Sequence, residues 1–117
     1  MQVQFDSRDP EGAQMREIAI KRLRFVMRRL TWLVPHAKVR LADINGPRGG
    51  VDKQVLVELQ TAGAGKVVIT SVARDWRTAL DKALNRAAKA LLRTWQRGHD
   101  RSRSRAHSRQ PLPDGLN

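Results

Sequence analysis

Between Ala37 and Ala73 the apolar residues recur at every second position in three successive runs, while on either side they recur every third or fourth. Period two is the spacing of a strand with one buried face, and period 3.6 that of a helix with one buried stripe. The first run is Ala37 to Ile44, with Val39 and Leu41 opposing Lys38 and Arg40. The second is Lys53 to Thr61, carrying Val55, Val57 and Leu59. The third is Lys66 to Ala73, rich in β-branched residues. Ahead of the block, Met1 to Asp6 alternates with Val3 and Phe5 on one face, so it reads as a further strand.

The helical stretches carry their own start signals. Asp9-Pro10-Glu11 places an N-cap acid, a proline at the first helical position and a carboxylate near the positive end of the dipole. From there Met15, Ala19, Leu23, Val26, Leu30 and Leu33 step by three and four, which predicts one helix ending before Pro35. Asp75 caps a second helix predicted to run to about Arg97, with Gly98 where a C-terminal cap belongs. Ala62 to Gly65 reads as a hairpin and Asn45 to Gly50 as a flexible loop.

The resulting order is β-α-β-β-β-α. The first helix is long enough for a right-handed crossover, which lets strands one and two lie parallel before an antiparallel meander. Both helices then cover one face of a four-stranded sheet, an α+β two-layer fold. The 117 residues make one domain. Residues 1–97 are its body, and residues 98–117, an Arg/Ser-rich stretch with almost nothing to bury, are expected to be a disordered tail.

Charge narrows the partner. The chain holds 23 Lys and Arg against 11 Asp and Glu, a net +12. Nineteen of the cations and nine of the acids fall within residues 1–97, so the surplus of ten belongs to the folded body. A compact body with that self-repulsion is matched to a polyanion, nucleic acid first among them. An anionic membrane would call for an apolar insertion face that the pattern lacks. No apolar run approaches the ~20 residues of a span, and the N-terminus does not read as a secretory leader. With no cysteine either, a soluble cytoplasmic chain is expected.

On the second helix Trp76, Leu80, Ala83, Leu84, Ala87, Leu91 and Trp95 fall towards one side, the core face. Lys82, Arg86, Lys89, Arg93 and Arg97 fall together on another, with no acid among them. A solvated face ordinarily interleaves Glu with Lys to gain i,i+4 pairs, so this stripe reads as a phosphate-binding face. The first helix adds Lys21, Arg24 and Arg28 on its outer face and Arg22 and Arg29 along a flank. Ile18, Phe25 and Trp32 recur beside them at a spacing of seven. They suit either an aromatic platform for unpaired bases or packing against the second helix. Two helices on one sheet face have to bury their mutual contact, so packing is the expectation for Ile18 and Phe25, with Trp32 covering the helix end and still open as a stacking candidate. Lys38 and Arg40 are expected to be solvated sheet positions, and Arg48 could reach a phosphate from the glycine loop.

An enzyme would need more. His36 follows a proline turn, His99 and His107 lie in the tail, the acids are scattered, and no metal-ligand spacing or nucleotide-binding glycine motif occurs. No catalysis, cofactor, metal or small-molecule substrate is expected.

Asp75-Trp76-Arg77-Thr78-Ala79-Leu80, followed by Asn85-Arg86, Lys89 and Arg93, resembles the Asp-x-Tyr-x-Ala-Ile start and basic second helix of the ribosome hibernation-promoting factor and ribosome-associated inhibitor family. Arg22-Leu23, Arg28 and the opening Met1-Gln-Val-Gln-Phe look like that family's first helix and first strand, and the likeness spans residues 1–97. The resemblance implies a fold like double-stranded-RNA-binding domains and a non-enzymatic, monomeric factor on the small ribosomal subunit. There it would meet 16S ribosomal RNA, block translation in stressed cells and protect idle ribosomes. By position the RNA contacts carry over to Arg22, Arg28, Arg86, Lys89 and Arg93. The tail cannot be the second domain of long members, so the short class is the better match. Departures are Arg77 at the family's aromatic position, the glycine-rich loop and the Arg-Ser ending. The rival expectations are a general binder of structured RNA or DNA and a protein-interaction module whose basic face meets an acidic partner.

Overall fold

The computed structural model describes residues 1–44, 52–63 and 65–109, by backbone alone after Arg97. Strands β1 (Gln2–Ser7), β2 (His36–Asp43), β3 (Lys53–Gln60) and β4 (Lys66–Ala73) form one sheet in the order β1-β2-β3-β4. Strand β1 pairs parallel with β2, and β2–β3 and β3–β4 are antiparallel. The α+β fold, the crossover and the meander are those expected from the patterning, with strand ends displaced by a residue.

Register puts Val3, Phe5, Val39, Leu41, Val55, Val57, Leu59 and Val67 on one face. That face packs against Ala19, Leu23 and Met27 of the first helical segment and Leu80, Ala83, Leu84, Ala87 and Leu91 of the last. Both helical layers therefore lie on the same side. The other face carries Gln2, Gln4, Lys38, Arg40 and Glu58, with cross-strand ion pairs Arg40–Asp6 (3.3 Å) and Lys66–Glu58 (3.5 Å). Lys38 and Arg40 are thus the sheet positions expected.

The first helix is not continuous. It divides into α1 (Pro10–Ala13) and α2 (Arg16–Val26), followed by a 3₁₀ turn at Thr31–Leu33. The break comes shortly after Gly12, which is buried so closely that a Cβ there would lie 2.5 Å from Ser7 Oγ and 3.3 Å from the Trp76 ring. The chain then tightens, with Gln14 N–H donating to Glu11 O and Met15 N–H to Gly12 O, before α2 sets off. After Val26 similar i→i−3 bonds (Arg28 N to Phe25 O, Leu30 N to Met27 O) bring Leu33 and Val34 into the core.

Helix α3 (Trp76–Arg109) starts where expected. Asp75 caps it, accepting from Thr78 N at 2.8 Å, as Asp9 caps α1 by accepting from Gly12 N at 3.0 Å. Its end is a correction: the helix does not stop at Gly98 but runs on to Arg109. A glycine inside a helix costs only about 1 kcal/mol, and the polar His99 and Asp100 offer no apolar group to stabilise a left-handed cap. The remainder of the expected tail, 110–117, and the Asn45–Gly50 loop with Arg48 lie outside the described residues. In the hairpin Gly63 and Gly65 take φ of 94° and 90°, which only glycine adopts without strain.

Candidate nucleic-acid interface

The core stripe of α3 fixes where its charges go. With Leu80, Leu84, Ala87 and Leu91 buried, Lys82, Lys89 and Arg93 project away from the sheet and are exposed. Asn85 and Gln96 lie beside them, so this outward strip carries no carboxylate. Arg86 and Arg97 are exposed as well, and Arg86 Nη1 donates to the Thr70 carbonyl of the β4 edge at 3.0 Å. Four of the five stripe cations are thus without an anionic or carbonyl partner among the described contacts, and one is anchored.

Helix α2 contributes differently. Lys21 and Arg24 are exposed on its outer face, and Glu17 sits one turn before Lys21, so this strip includes an acid. Arg28 and Arg29 are exposed in the turn that follows. Arg28 stacks its guanidinium 4.3 Å from the Phe25 ring centroid and donates through Nη1 to Phe25 O at 2.8 Å. Arg22 does not belong with the exposed cations. It is half-buried between the helices, its Nε 2.6 Å from Asp81 Oδ1. Asp81 is also reached by Arg77 at 3.8 Å. The acid nearest the α3 stripe is therefore turned towards α2 and held there by two arginines.

The aromatic residues depart from expectation. Phe25 is 63% exposed and Trp32 65%, with Ile18 at 39%, so the three do not form a buried seam between the helices. Trp32 instead meets Trp95, half-buried on α3, edge to face, with centroids 6.3 Å apart and planes at 89°. Trp95 packs against the core, on the face that sequence reading gave it, but its pairing with Trp32 was not foreseen. The signal available was the seven-residue spacing, which core and surface stripes share.

The strongest electrostatic cluster lies elsewhere, at the α1–β2–β3 corner. Lys53 Nζ is 2.9 Å from Asp43, 3.6 Å from Asp52 and 4.0 Å from Glu11. The Asp43 hydrogen bond raises its pKa against the opposing effect of burial. Lys53 also lies 5.5 Å from the Trp76 ring centroid, and Trp76 Nε1 donates to Glu11 at 3.2 Å. This is a structural knot that fastens α1 and the start of α3 to the sheet. Among the described residues no group of three or more His, Cys, Asp or Glu is placed to hold a metal, and no helix is long and apolar enough to cross a membrane.

No family model and no curated protein matches the sequence. Solved structures do. The N-terminal domain of Protein Y from Thermus thermophilus superposes with a TM-score of 0.61 at 20% identity, over 80% of this chain and 98% of that one. The fold is shared. A ribosomal subunit interface protein from Coxiella burnetii gives 0.62 at 16% identity, over 80% of this chain and 96% of that one. At such identities the likeness speaks for the arrangement of sheet and helices and not for individual contacts.

Proposed function

We propose that this chain is a non-enzymatic, ribosome-associated factor that docks on the 16S ribosomal RNA of the small subunit through the outer faces of α2 and α3. Docked there, it occupies space that messenger and transfer RNA would need, and so holds idle ribosomes out of translation. The observation that carries the reading is the carboxylate-free strip Lys82, Lys89 and Arg93, exposed on a rigid helix whose nearest acid, Asp81, is neutralised by Arg22 and Arg77. Each phosphate neutralised by such a strip releases counterions, which makes the strip a source of affinity. Shared architecture with a ribosomal subunit interface protein favours a ribosome over other polyanions as the partner, and the factor is proposed to act in the cytoplasm as a monomer.

Within the proposed surface, Lys21, Arg24, Arg28, Arg29, Lys82, Lys89, Arg93 and Arg97 contact phosphate directly. Arg86 does so while tethered to the β4 edge, and Arg22 acts by setting the distance between the helices. Co-sedimentation with small ribosomal subunits at low and high salt tests the proposal. Pelleting at low salt that is lost at high salt is the expected result, and absence of pelleting at low salt overturns it. Equal affinity for plain duplex RNA would instead identify a general nucleic-acid binder.

A further inference from the structure

Two contacts tie α2 and its following turn to α3 in the same order along both: Arg22–Asp81 first, Trp32–Trp95 further on. Along the stretch between them both helices carry exposed apolar side chains. Phe25 stands one turn beyond Arg22, and Leu92, 42% exposed, about one turn before Trp95. Single exposed apolar residues are ordinary, but an exposed indole in contact with a second one, on a chain of net charge +12, marks a contact surface.

The rings are fixed in advance. The Trp32 indole N–H donates to Arg29 O at 3.1 Å, and its ring stands perpendicular to Trp95. Two perpendicular indoles make a corner, in which a flat ligand can stack on one ring while its edge meets the other. Cations stand on the Trp32 side of the corner: Arg28, on the Phe25 ring, and Arg29, whose carbonyl holds the indole. A ligand that satisfies both features is planar, apolar on its faces and strung on anions. A second copy of this chain would bring its own surplus of positive charge to the same place, which disfavours self-association.

We infer that the Trp32–Trp95 corner seats an unpaired base of an RNA strand whose phosphates lie on the arginines of the preceding turn, Arg28 and Arg29. This inference rests on the proposed RNA-docking role and adds to it a demand for single-stranded RNA at one end of the interface. Stacking of a base on an aromatic side chain is sequence-tolerant, so the seat selects an unpaired nucleotide without selecting its identity.

The test uses the full chain, a short single-stranded RNA and the same strand with abasic positions, titrated at one salt concentration and followed by tryptophan emission and anisotropy. The intact strand is expected to quench emission and to bind about tenfold more tightly than the abasic one. Trp32→Ala is expected to abolish that difference while leaving the salt dependence of binding unchanged, and Trp32→Phe, which keeps a ring face, to retain most of it. Equal binding of both strands by the native chain, or an unaltered preference in Trp32→Ala, overturns the inference. A native dimer that Trp32→Ala converts to monomer in sedimentation equilibrium overturns it too, because the surface then belongs to a second copy. The same proteins are run against small subunits. Pelleting without base preference defeats the seat and leaves the docking proposal standing, whereas base preference without pelleting supports the seat and defeats the docking proposal.

Discussion

Arg22 Nε lies 2.6 Å from Asp81 Oδ1, and this ion pair joins the two helices that the sheet alone would leave side by side. Its position changes the meaning of both residues. Arg22 is withdrawn from the outward cations, and Asp81 is prevented from neutralising the neighbouring Lys82. The pair sits at the boundary between core and interface, with about a third of each side chain exposed.

A double-mutant cycle on Arg22→Ala and Asp81→Ala should therefore return a coupling of about 0.5–1 kcal/mol, the range of a solvent-screened pair in good geometry. The informative comparison is in binding. Asp81→Asn removes an acid beside the stripe and releases Arg22 and Arg77, so affinity for RNA should rise at low salt and its salt dependence steepen. Arg22→Ala should cost stability more than it costs salt dependence.

Asp75 carries an acid-sensitive part of the stability. Its pKa is held below the ordinary value chiefly by the Thr78 backbone N–H and next by the Thr78 hydroxyl. A depressed carboxylate stabilises the fold above its unfolded pKa and loses that contribution as pH falls through the folded value. Thermal melts of the native chain should thus lose more Tm between neutral pH and about pH 2 than melts of Asp75→Asn, which keeps an acceptor at the cap without the titration. At neutral pH Asp75→Ala should lower Tm by about 5 °C.

Most of the fold was legible because periodicity and register report the same face. Val39, Leu41, Val55, Val57 and Leu59 read as one side of a sheet and are that side, and Leu80, Leu84 and Leu91 read as a core stripe and are buried. The break between α1 and α2 was not legible, because Met15, Ala19 and Leu23 keep helical spacing on its far side, and the close approach of Gly12 to Ser7 and Trp76 that holds α1 on the sheet arises only in three dimensions. For the interface, the outward cations of α3 followed from the wheel. The exposure of Phe25 and Trp32 did not, since it depends on how the two helices lie against each other in three dimensions. Neither did the withdrawal of Arg22, for the same reason.

Lys53 should be the cation whose loss is felt most in the fold. Asp52 is 1% exposed, and the Lys53 ammonium lies 3.6 Å from its carboxylate. Removing one partner leaves a buried charge uncompensated, so Lys53→Met should lower Tm by about 10 °C. The raised pKa of Lys53, due first to its hydrogen bond with Asp43, sets the opposite pH window from that of Asp75. Its stabilisation is complete below the unfolded lysine value and lost as pH rises through the folded one, so alkaline melts should separate the native chain from Lys53→Met progressively less.

Gly12→Ala tests the close approach of α1 to the sheet. The added methyl would meet Ser7 Oγ, which donates to Asp9 O at 2.8 Å and accepts from Asp9 N at 3.3 Å. Ser7 has to rotate and break the bonds that set the start of α1, or α1 has to lift from Trp76. Urea unfolding should show a loss of about 1–3 kcal/mol, as for other overpacked sites. Pairing the change with Ser7→Ala, which clears the space, should recover part of it.

The stripe on α3 makes the last prediction, and geometry divides its members. Lys82, Lys89 and Arg93 are exposed and lie on the outermost side of the helix, so replacing them costs the fold little; each changed to Ala should leave Tm within a few degrees of the native value. Arg86 is tethered to the Thr70 carbonyl at the β4 edge, and a bound phosphate has to compete with or share that hydrogen bond. If the strip neutralises phosphates, the slope of log K against log salt should fall by about 0.7–0.9 for each contact removed. Lys89→Ala and Arg93→Ala should each reach that value on small-subunit binding, and Arg86→Ala should fall short of it. Equal slopes for the native chain and the Lys89→Ala, Arg93→Ala double variant would place the bound polyanion on some other face of the molecule.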